Sequence, residues 1–182
     1  MVSWKSWAQV AERLALWPES QTNSTMILTI IRHGKAVDRE AWHGDDRDRP
    51  LTREGREQVR QALRALTEVI QAEEVWTSPW KRARQTAEIA AEVWDLPLTE
   101  CTWLAGDATE IPDWCRQMRG TGEIVLVGHE PDLGRLVGHL IGGKPLPMKK
   151  GGVAILEGLP RPGQMELALF VPPKAVLRVA DV

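Results

Sequence analysis

The sequence predicts a single α/β domain built on a mostly parallel sheet with helices on both faces. From Met26 onward, short apolar runs alternate with longer stretches whose apolar residues recur at helical spacing. This alternation is typical of doubly wound sheets. The length of 182 residues suits one domain whose core needs no disulfides. A composition of 43% hydrophobic and 26% charged residues is that of a soluble globular protein.

The first strand is expected over residues 26–31, which are almost entirely apolar. A polar loop rich in Asp and Arg follows over residues 38–50. Thr52 is predicted to cap a long helix, because a threonine hydroxyl at that position accepts a hydrogen bond from a free backbone amide. The apolar stripe of that helix continues to Ile70.

The middle of the domain is predicted to hold two further strands, each followed by a helix. A short buried strand covers residues 74–77, and Pro79 opens a helix that reaches about Trp94, since proline is favoured at the first helical position. A strand at residues 97–102 then leads to a helix at residues 108–118.

The last part of the domain contains the strongest predicted strand, residues 123–127, followed by a helix at residues 132–141. Residues 152–157 and 165–171 form two final strands, joined by a turn at residues 160–163. We expect this pair to lie antiparallel at one edge of the sheet.

Residues 1–25 are expected to be an N-terminal extension, and residues 26–182 the domain itself. Apolar residues recur at helical spacing until Pro18, and a polar run follows. The extension is interpreted as a small helix packed on the domain, as a frayed tail, or as upstream sequence from an alternative start.

Composition excludes several classes of function. A net charge of −2 and a pI near 6.1 argue against non-specific nucleic-acid binding. No segment approaches the ~20 consecutive apolar residues of a membrane span, and charged residues interrupt any signal-peptide core near the amino terminus. Cys101 and Cys115 are too few for a disulfide framework or a metal quartet. We therefore expect a cytoplasmic protein with reduced thiols.

Three basic side chains and a second histidine follow directly after predicted strands. Arg32 and His33 follow the first strand, Arg82 lies in the helix after the second, and His129 follows the strand at 123–127. Ligands of α/β proteins bind beyond the carboxyl ends of strands, so these side chains are expected to share one crevice. Imidazole can attack phosphorus and guanidinium can hold its oxygens, so the crevice suits a phosphate dianion. Arg84 is expected to face away and to pair with an acid such as Glu88, because positions two apart on a helix do not share a face.

The ordered set of motifs resembles the signature of the histidine phosphatase superfamily, whose fold is similar to that of phosphoglycerate mutase. Its SixA-type phosphohistidine phosphatase branch is the best match. The resemblance covers residues 26–171, and too few residues separate Arg32 from Thr52 for a cap domain. The matching motifs are Arg32-His33-Gly34, Arg49-Pro50-Leu51-Thr52-x-x-Gly55, Ser78-Pro79-x-x-Arg82-Ala83-x-Gln85-Thr86, Val127-Gly128-His129-x-Pro131 and Lys149-Lys150-Gly151-Gly152.

This resemblance implies a role for each catalytic residue. His33 is the expected nucleophile, carrying the phosphoryl group on a ring nitrogen, and its other nitrogen is expected to donate to a backbone carbonyl. Arg32 and Arg82 would clamp the phosphoryl oxygens, and His129 would donate a hydrogen bond to them. Arginines supply the charge neutralisation that phosphoryl transfer needs, so neither a metal nor another cofactor is expected.

The resemblance also implies three substrate-binding residues. Gly34 would let the backbone approach the phosphate, and Arg49 would be a further phosphate ligand. Glu130 is expected either to protonate an alkoxide leaving group as a general acid or simply to occupy a variable position before the next helix.

Two charged segments lie outside these roles. The run containing His43, Asp45, Asp46 and Asp48 lacks metal-ligand spacing. We interpret it as a solvated loop at the rim of the pocket, with pairing of its carboxylates to Arg47 or Arg49 as the alternative. Residues 149–150, both lysines, form either a basic lip that attracts a phosphorylated protein or a solvated edge.

The sequence thus predicts a metal-independent phosphatase that works through a phosphohistidine intermediate. The expected substrate is phosphohistidine on a partner protein, such as a phosphotransfer domain of a signalling relay. One alternative is hydrolysis of small phosphate esters with Glu130 as the acid. Another is a non-catalytic phosphate-binding module, which the intact His33 disfavours because binding alone needs no nucleophile.

Overall fold

A mixed sheet of six strands forms the centre of the computed structural model, which describes residues 25–106, 110–118 and 122–180. The spatial order of the strands is β3-β2-β4-β1-β5-β6. Their bounds are β1 Met26–Arg32, β2 Glu74–Thr77, β3 Leu98–Glu100, β4 Ile124–Gly128, β5 Val153–Gly158 and β6 Met165–Val171.

Strands β1 to β4 are parallel, and β5 and β6 complete one edge in the antiparallel sense, as predicted. The register places Arg32 of β1 opposite Gly128 of β4, and Thr77 of β2 opposite Val127 of β4. The carboxyl ends of these three strands therefore stop at the same rim of the sheet. The segments that follow these three strands therefore begin close together at that rim.

Helices cover both faces of the sheet, which confirms the predicted layered architecture. The helices within the described residues are α1 Arg53–Ala65, α2 Lys81–Trp94, α3 Ile111–Gln117, α4 Asp132–Leu140 and α5 Pro173–Ala180. Helices α1, α2 and α5 pack on one face and α3 and α4 on the other. None of them is long and apolar enough to cross a membrane.

Alternation along the strands divides the core between the two faces, because successive strand residues point to opposite sides. In β1, Leu28 and Ile30 join the core beneath α3 and α4, whereas Ile31 joins the core beneath α1 and α2. Trp114 of α3 is 1% exposed and is the largest fully buried side chain of the first core.

Several predicted boundaries are wrong by a few residues. Helix α1 ends at Ala65, and a 3₁₀ turn over Thr67–Val69 completes the stripe that suggested a longer helix. Helix α2 begins at Lys81, because Trp80 has extended backbone angles and its amide donates to Ser78 Oγ. Pro79 therefore precedes the helix instead of opening it.

Two further differences concern the ends of the chain and one loop. Helix α5 was not predicted, since its sequence begins with a proline pair that is typical of a loop. The helix predicted at 108–118 starts at Ile111, and residues 107–109 lie outside the described part. The helical extension predicted within residues 1–25 falls almost wholly on residues 1–24, which also lie outside it.

The segment between β1 and α1 is tied down at both ends. Thr52 is the N-cap of α1, and its hydroxyl accepts from the amide of Gly55 at 2.9 Å, as predicted. The amide of Thr52 donates to Lys35 O at 2.9 Å, and the amide of Val37 donates to Pro50 O at 2.9 Å. Only a glycine fits at position 55, because a β-carbon there would lie 2.1 Å from Lys35 O.

We predict that Gly55→Ala destabilises the protein by about 1–3 kcal/mol, because the new methyl group would clash with the backbone oxygen of Lys35, which cannot move aside as a side chain can. Urea unfolding of both proteins measures the change. Gly143→Ala is the matched control, because the nearest atoms to a β-carbon there belong to the Ile141 side chain at 3.5 Å. Equal losses in the two variants would contradict the close approach of α1 to Lys35.

Candidate active site

His33 and His129 meet at the rim where β1 and β4 end. The backbone amide of His33 continues the sheet by donating to Gly128 O at 3.1 Å. The two imidazole centroids are 5.2 Å apart, and the residues are 6% and 7% exposed. The pairing of the strand-end histidines is therefore a direct result of the parallel register of β1 and β4.

The hydrogen bonds of His33 leave one ring nitrogen ready for attack. Nδ1 lies 2.8 Å from the carbonyl oxygen of Gly34, which can only accept, so Nδ1 carries the proton. Nε2 is then unprotonated and accepts from Nε of Arg82 at 3.3 Å. The predicted bond from His33 to a backbone carbonyl is thus present.

Both histidines are held neutral. Burial is the main cause that lowers the pKa of His33. The bond to Gly34 O opposes it, the charges of Arg82 and Arg32 add to it, and the pKa falls to about 3. Burial likewise lowers the pKa of His129 to about 2, with further contributions from His33 and Arg82. At neutral pH the lone pair on His33 Nε2 is therefore available.

Arg82 contacts this nitrogen, and Arg32 lies close enough for its charge to affect the pKa of His33. Arg82 is 5% exposed, and its guanidinium carbon lies 4.6 Å from the ring centroid of Trp80. Arg32 donates from Nη1 to Met148 O at 2.7 Å, and its buried Nε has no partner among the described residues. Arg84 instead bonds Glu88 at 3.2 Å with a side chain that is 54% exposed.

His129 is supported by two residues that the sequence analysis did not single out. Its Nε2 lies 2.9 Å from Ser78 Oγ, and its ring centroid lies 4.9 Å from that of Trp80. Its buried Nδ1 has no partner within the described part of the chain. Ser78 stands in the same motif as Arg82, which was the available signal. Since buried polar atoms are normally paired, the open atoms on Arg32 and His129 suit an oxyanion.

Asp46 pairs with Arg49 at 2.7 Å, which confirms the alternative given for the rim loop, and it has a second contact, with Arg82, that was not predicted. Its carbonyl accepts from Nη1 of Arg82 at 2.7 Å, and its Oδ2 lies 3.2 Å from Nη2. Asp46 thereby holds the outer end of the guanidinium while Nε faces His33. The rim loop is therefore not simply solvated, because the Asp46 side chain is only 19% exposed.

The charge of Asp46 is stabilised by several arginines at once. Burial favours its neutral form, but hydrogen bonds from Arg49 and Arg39 and the charge of Arg82 together lower its pKa to about 2. Asp46 is thus ionised at neutral pH and positions its cations without acting as a proton donor.

Arg49 and Gly34 have contacts that differ from those expected of phosphate ligands. Arg49 donates from Nε to Asp46 at 2.7 Å and from Nη1 to Val37 O at 2.6 Å. The amide of Gly34 donates to Thr86 Oγ1, and a β-carbon on Gly34 would lie 2.6 Å from Val59. Close packing against α1 is thus the reason for glycine here, and a role of either residue in binding phosphate stays a prediction.

Glu130 supports the loop that Arg32 also contacts. Its Oε1 accepts from the amide of Met148 at 3.0 Å, whereas Arg32 binds the carbonyl of the same residue. Burial lowers the pKa of Arg32, and the charge of Glu130 opposes that shift. The carboxylate is therefore engaged as a structural acceptor, and its action as a general acid stays a prediction.

A buried neutral histidine beside arginines, at the carboxyl ends of parallel strands, is an arrangement suited to binding a phosphoryl group. The sequence model of the histidine phosphatase superfamily (branch 1) matches residues 28–105. The chain belongs to this superfamily and to its SixA-type branch, and it is therefore a phosphatase.

Two relatives support this membership, and solved structures share the fold. The chain is 36% identical to an uncharacterized protein of Picosynechococcus sp., covering 70% of this chain and 82% of that protein. It is 31% identical to the phosphohistidine phosphatase SixA of Escherichia coli, covering 68% and 79%. The structure of the protein histidine phosphatase SixA complexed with tungstate has a TM-score of 0.73 at 24% identity, covering 83% and 99%. Phosphoglycerate mutase from Bacillus anthracis has a TM-score of 0.64 at 16% identity, covering 86% and 97%.

We predict that the free energy of unfolding falls as pH drops below about 6.5, because unfolded histidines take up protons that the folded His33 and His129 refuse. The stabilisation is complete above the unfolded pKa and is lost toward the depressed folded pKa values. Each histidine contributes at most about 1.4 kcal/mol per pH unit in that window. Urea unfolding of wild type and His129→Gln at pH values from about 6.5 to 4 measures this, and the variant should show the smaller slope. Identical slopes would mean that His129 is not held neutral.

We predict that Asp46→Asn lowers kcat/KM for an aryl phosphate by about 10- to 100-fold, because Arg82 loses the carboxylate that aims it at His33. The inhibition constant of inorganic phosphate should rise in parallel. Asp48→Asn on the same loop is the control, since Asp48 is exposed. Loss of thermal stability without any change in these constants would leave Asp46 a purely structural residue.

Proposed function

We propose that this protein removes the phosphoryl group from phosphohistidine on a partner protein, using His33 as the nucleophile and no metal ion. The observation that carries the proposal is the state of His33. Its Nδ1 donates to Gly34 O, and its unprotonated Nε2 lies 3.3 Å from the Nε of a buried arginine. The nucleophile therefore has a cation directly beside it, and the same N–H can pass from Nε2 to a phosphoryl oxygen when phosphorus binds.

In the first step, the lone pair of His33 Nε2 forms a bond to phosphorus. The bond between phosphorus and the substrate's imidazole nitrogen breaks, and its electron pair stays on that imidazole, which takes a proton from water. The phosphorylated His33 ring then carries positive charge, which the bond from Nδ1–H to Gly34 O stabilises. In the second step, a water oxygen attacks phosphorus, the pair returns to Nε2, and inorganic phosphate leaves.

The transferred group meets donors that are already in place, and only the N–H of Arg82 Nε has to pass from His33 Nε2 to a phosphoryl oxygen. Arg82 presents its Nε edge toward His33, because Asp46 holds the other end of the guanidinium. Arg32 and His129 contribute the buried nitrogens that lack partners among the described residues. Preorganised donors of this kind are a large part of phosphoryl-transfer catalysis.

Two observations favour phosphohistidine on a protein as the substrate. The connection from β1 to α1 contains only a short 3₁₀ turn, Asp46–Asp48, so no inserted domain encloses the site. A departing imidazole also needs less help from an acid than an alkoxide does, and the carboxylate of Glu130 is already bound to the Met148 amide. The similarity to SixA of Escherichia coli points to the same substrate class.

Hydrolysis of small phosphate esters is the second candidate. Glu130 follows His129 directly, which places a carboxyl group close to the site. An α-ribazole-5′-P phosphatase structure from Escherichia coli, described as putative, also shares the fold, with a TM-score of 0.63 at 18% identity.

We predict that the wild-type protein dephosphorylates a phosphohistidine-bearing phosphotransfer domain in the presence of chelator, and that His33→Ala lowers this rate by at least about 10³-fold. Glu130→Gln should leave the rate on phosphohistidine within about threefold, because the imidazole leaves without an acid. Rapid denaturation during turnover should trap acid-labile phosphate on the wild type and none on His33→Ala.

The remaining outcomes each select another function. Turnover of an aryl phosphate alone, with a large loss in Glu130→Gln, would assign the protein to small esters. Binding of phosphate without turnover of either substrate would leave a phosphate-binding module.

A further inference from the structure

We propose that a basic groove beside the active site docks an acidic surface of the phosphorylated partner protein. This inference rests on the proposed function and extends it to how the protein selects its substrate. The basic groove has a volume of about 490 Å³ and is lined by cations from two segments, Lys149 and Lys150 before β5 and Lys174 and Arg178 on α5, together with Pro172 and Pro173.

The basic groove is continuous with the active site through a shared loop. A second cavity of about 200 Å³ shares Lys149 and Pro172 with it and is lined in addition by Met148 and Phe170. Met148 is the residue whose carbonyl accepts from the catalytic Arg32. The charge of Lys150 also contributes to the low pKa of His33, so the near end of the groove lies within electrostatic reach of the nucleophile.

The cations of the basic groove are largely uncompensated. No ion pair involves Lys149, Lys150 or Arg178 within the described part of the chain. The charge of Lys174 contributes to lowering the pKa of Glu54, but the ion pair of that carboxylate is with Lys35, at 2.7 Å. The whole chain carries a net charge of −2, whereas the groove is lined by four cations, so its local charge has the opposite sign to that of the whole protein. Such a local excess attracts acidic surfaces and orients them during encounter.

The neighbouring cavity adds an apolar anchor. Phe170 is 38% exposed and is one of two large hydrophobic residues exposed in the described residues. An apolar contact beside a charged surface is the usual arrangement of a protein interface, in which charges steer and a few buried side chains supply affinity. The overall negative charge disfavours nucleic acid and anionic membranes, whose charge would meet repulsion outside the groove. An acidic protein surface with an apolar residue at its centre fits both features.

The test is a charge reversal on α5, which packs against α1 and carries none of the residues of the catalytic cluster. Lys174→Glu/Arg178→Glu is compared with Lys144→Glu/Arg161→Glu, which reverses two exposed positive charges away from the groove. Two substrates are used: a phosphohistidine-bearing phosphotransfer domain that has an acidic surface, and free phosphoimidazole. We expect the groove variant to lose about 10-fold or more in kcat/KM on the domain, mostly through KM, with phosphoimidazole turnover and the control variant unchanged. Added salt should raise KM of the wild type and affect the groove variant less.

Each other result has a definite meaning. Equal activity of the groove and control variants on the domain overturns the docking site, and so does an equal loss on phosphoimidazole. If the groove variant is unstable to heat, Lys149→Glu on the opposite wall replaces it and must show the same selective loss. If the wild type turns over neither substrate, the proposed function fails, and binding of the unphosphorylated domain is measured instead. Binding that the charge reversal abolishes supports the docking site. Absence of binding by the wild type overturns it. Groove-dependent binding of duplex DNA or anionic vesicles, with the domain unaffected, also overturns it.

Discussion

The parallel register of β1, β2 and β4 is the constraint on which the site rests. Arg32 pairs with Gly128 and Thr77 pairs with Val127, so three strands end at one level. The chain must leave the sheet there, and the first residues to do so are Ser78, His129 and His33, with His129 between the other two in the strand order. Side chains separated by about a hundred positions therefore meet with no contribution from long loops, because backbone hydrogen bonds set their relative height.

Burial then sets the chemistry of these residues. Buried imidazoles among arginines lose their protons, and the same burial would be costly for the arginines if they lacked a counter-charge. Asp46 supplies that charge from the rim loop, and Glu130 supplies it near Arg32. The carboxylate of Glu130 also accepts from the backbone amide of Met148, and the backbone carbonyl of Asp46 accepts from Arg82. The same residues that neutralise the arginines therefore also fix the loops that carry them. The cations are thus compensated at their outer ends and remain directed toward His33 at their inner ends.

Much of this was predictable, because the strongest signals are local. Apolar runs followed by His33 and His129 indicate strands that end in polar residues, and helical geometry separates Arg82 from Arg84 without any tertiary knowledge. Pairing of the rim carboxylates with Arg49 was a predicted alternative, but the bond between Asp46 and Arg82 was not predictable, since the two residues are 36 positions apart and the neighbours of Asp46 are equally acidic. Helix α5 was missed because Pro172 and Pro173 indicate a break, although the second proline in fact begins the helix, where its missing N–H costs nothing. Local pattern therefore locates the strand-end histidines, whereas charge pairing across the fold needs coordinates.

The Met148 loop links catalysis to the outer surface. Arg32 holds its carbonyl and Glu130 holds its amide, so both polar groups of one peptide residue are bound by side chains of the site. The same loop continues into residues 149–150 and so into the wall of the basic groove. A partner that presses on this wall acts on a segment whose position is already coupled to Arg32 by a 2.7 Å hydrogen bond. In the docking that we propose, a protein substrate would therefore contact the loop that also holds Arg32, and a small phosphate ester would lack that contact.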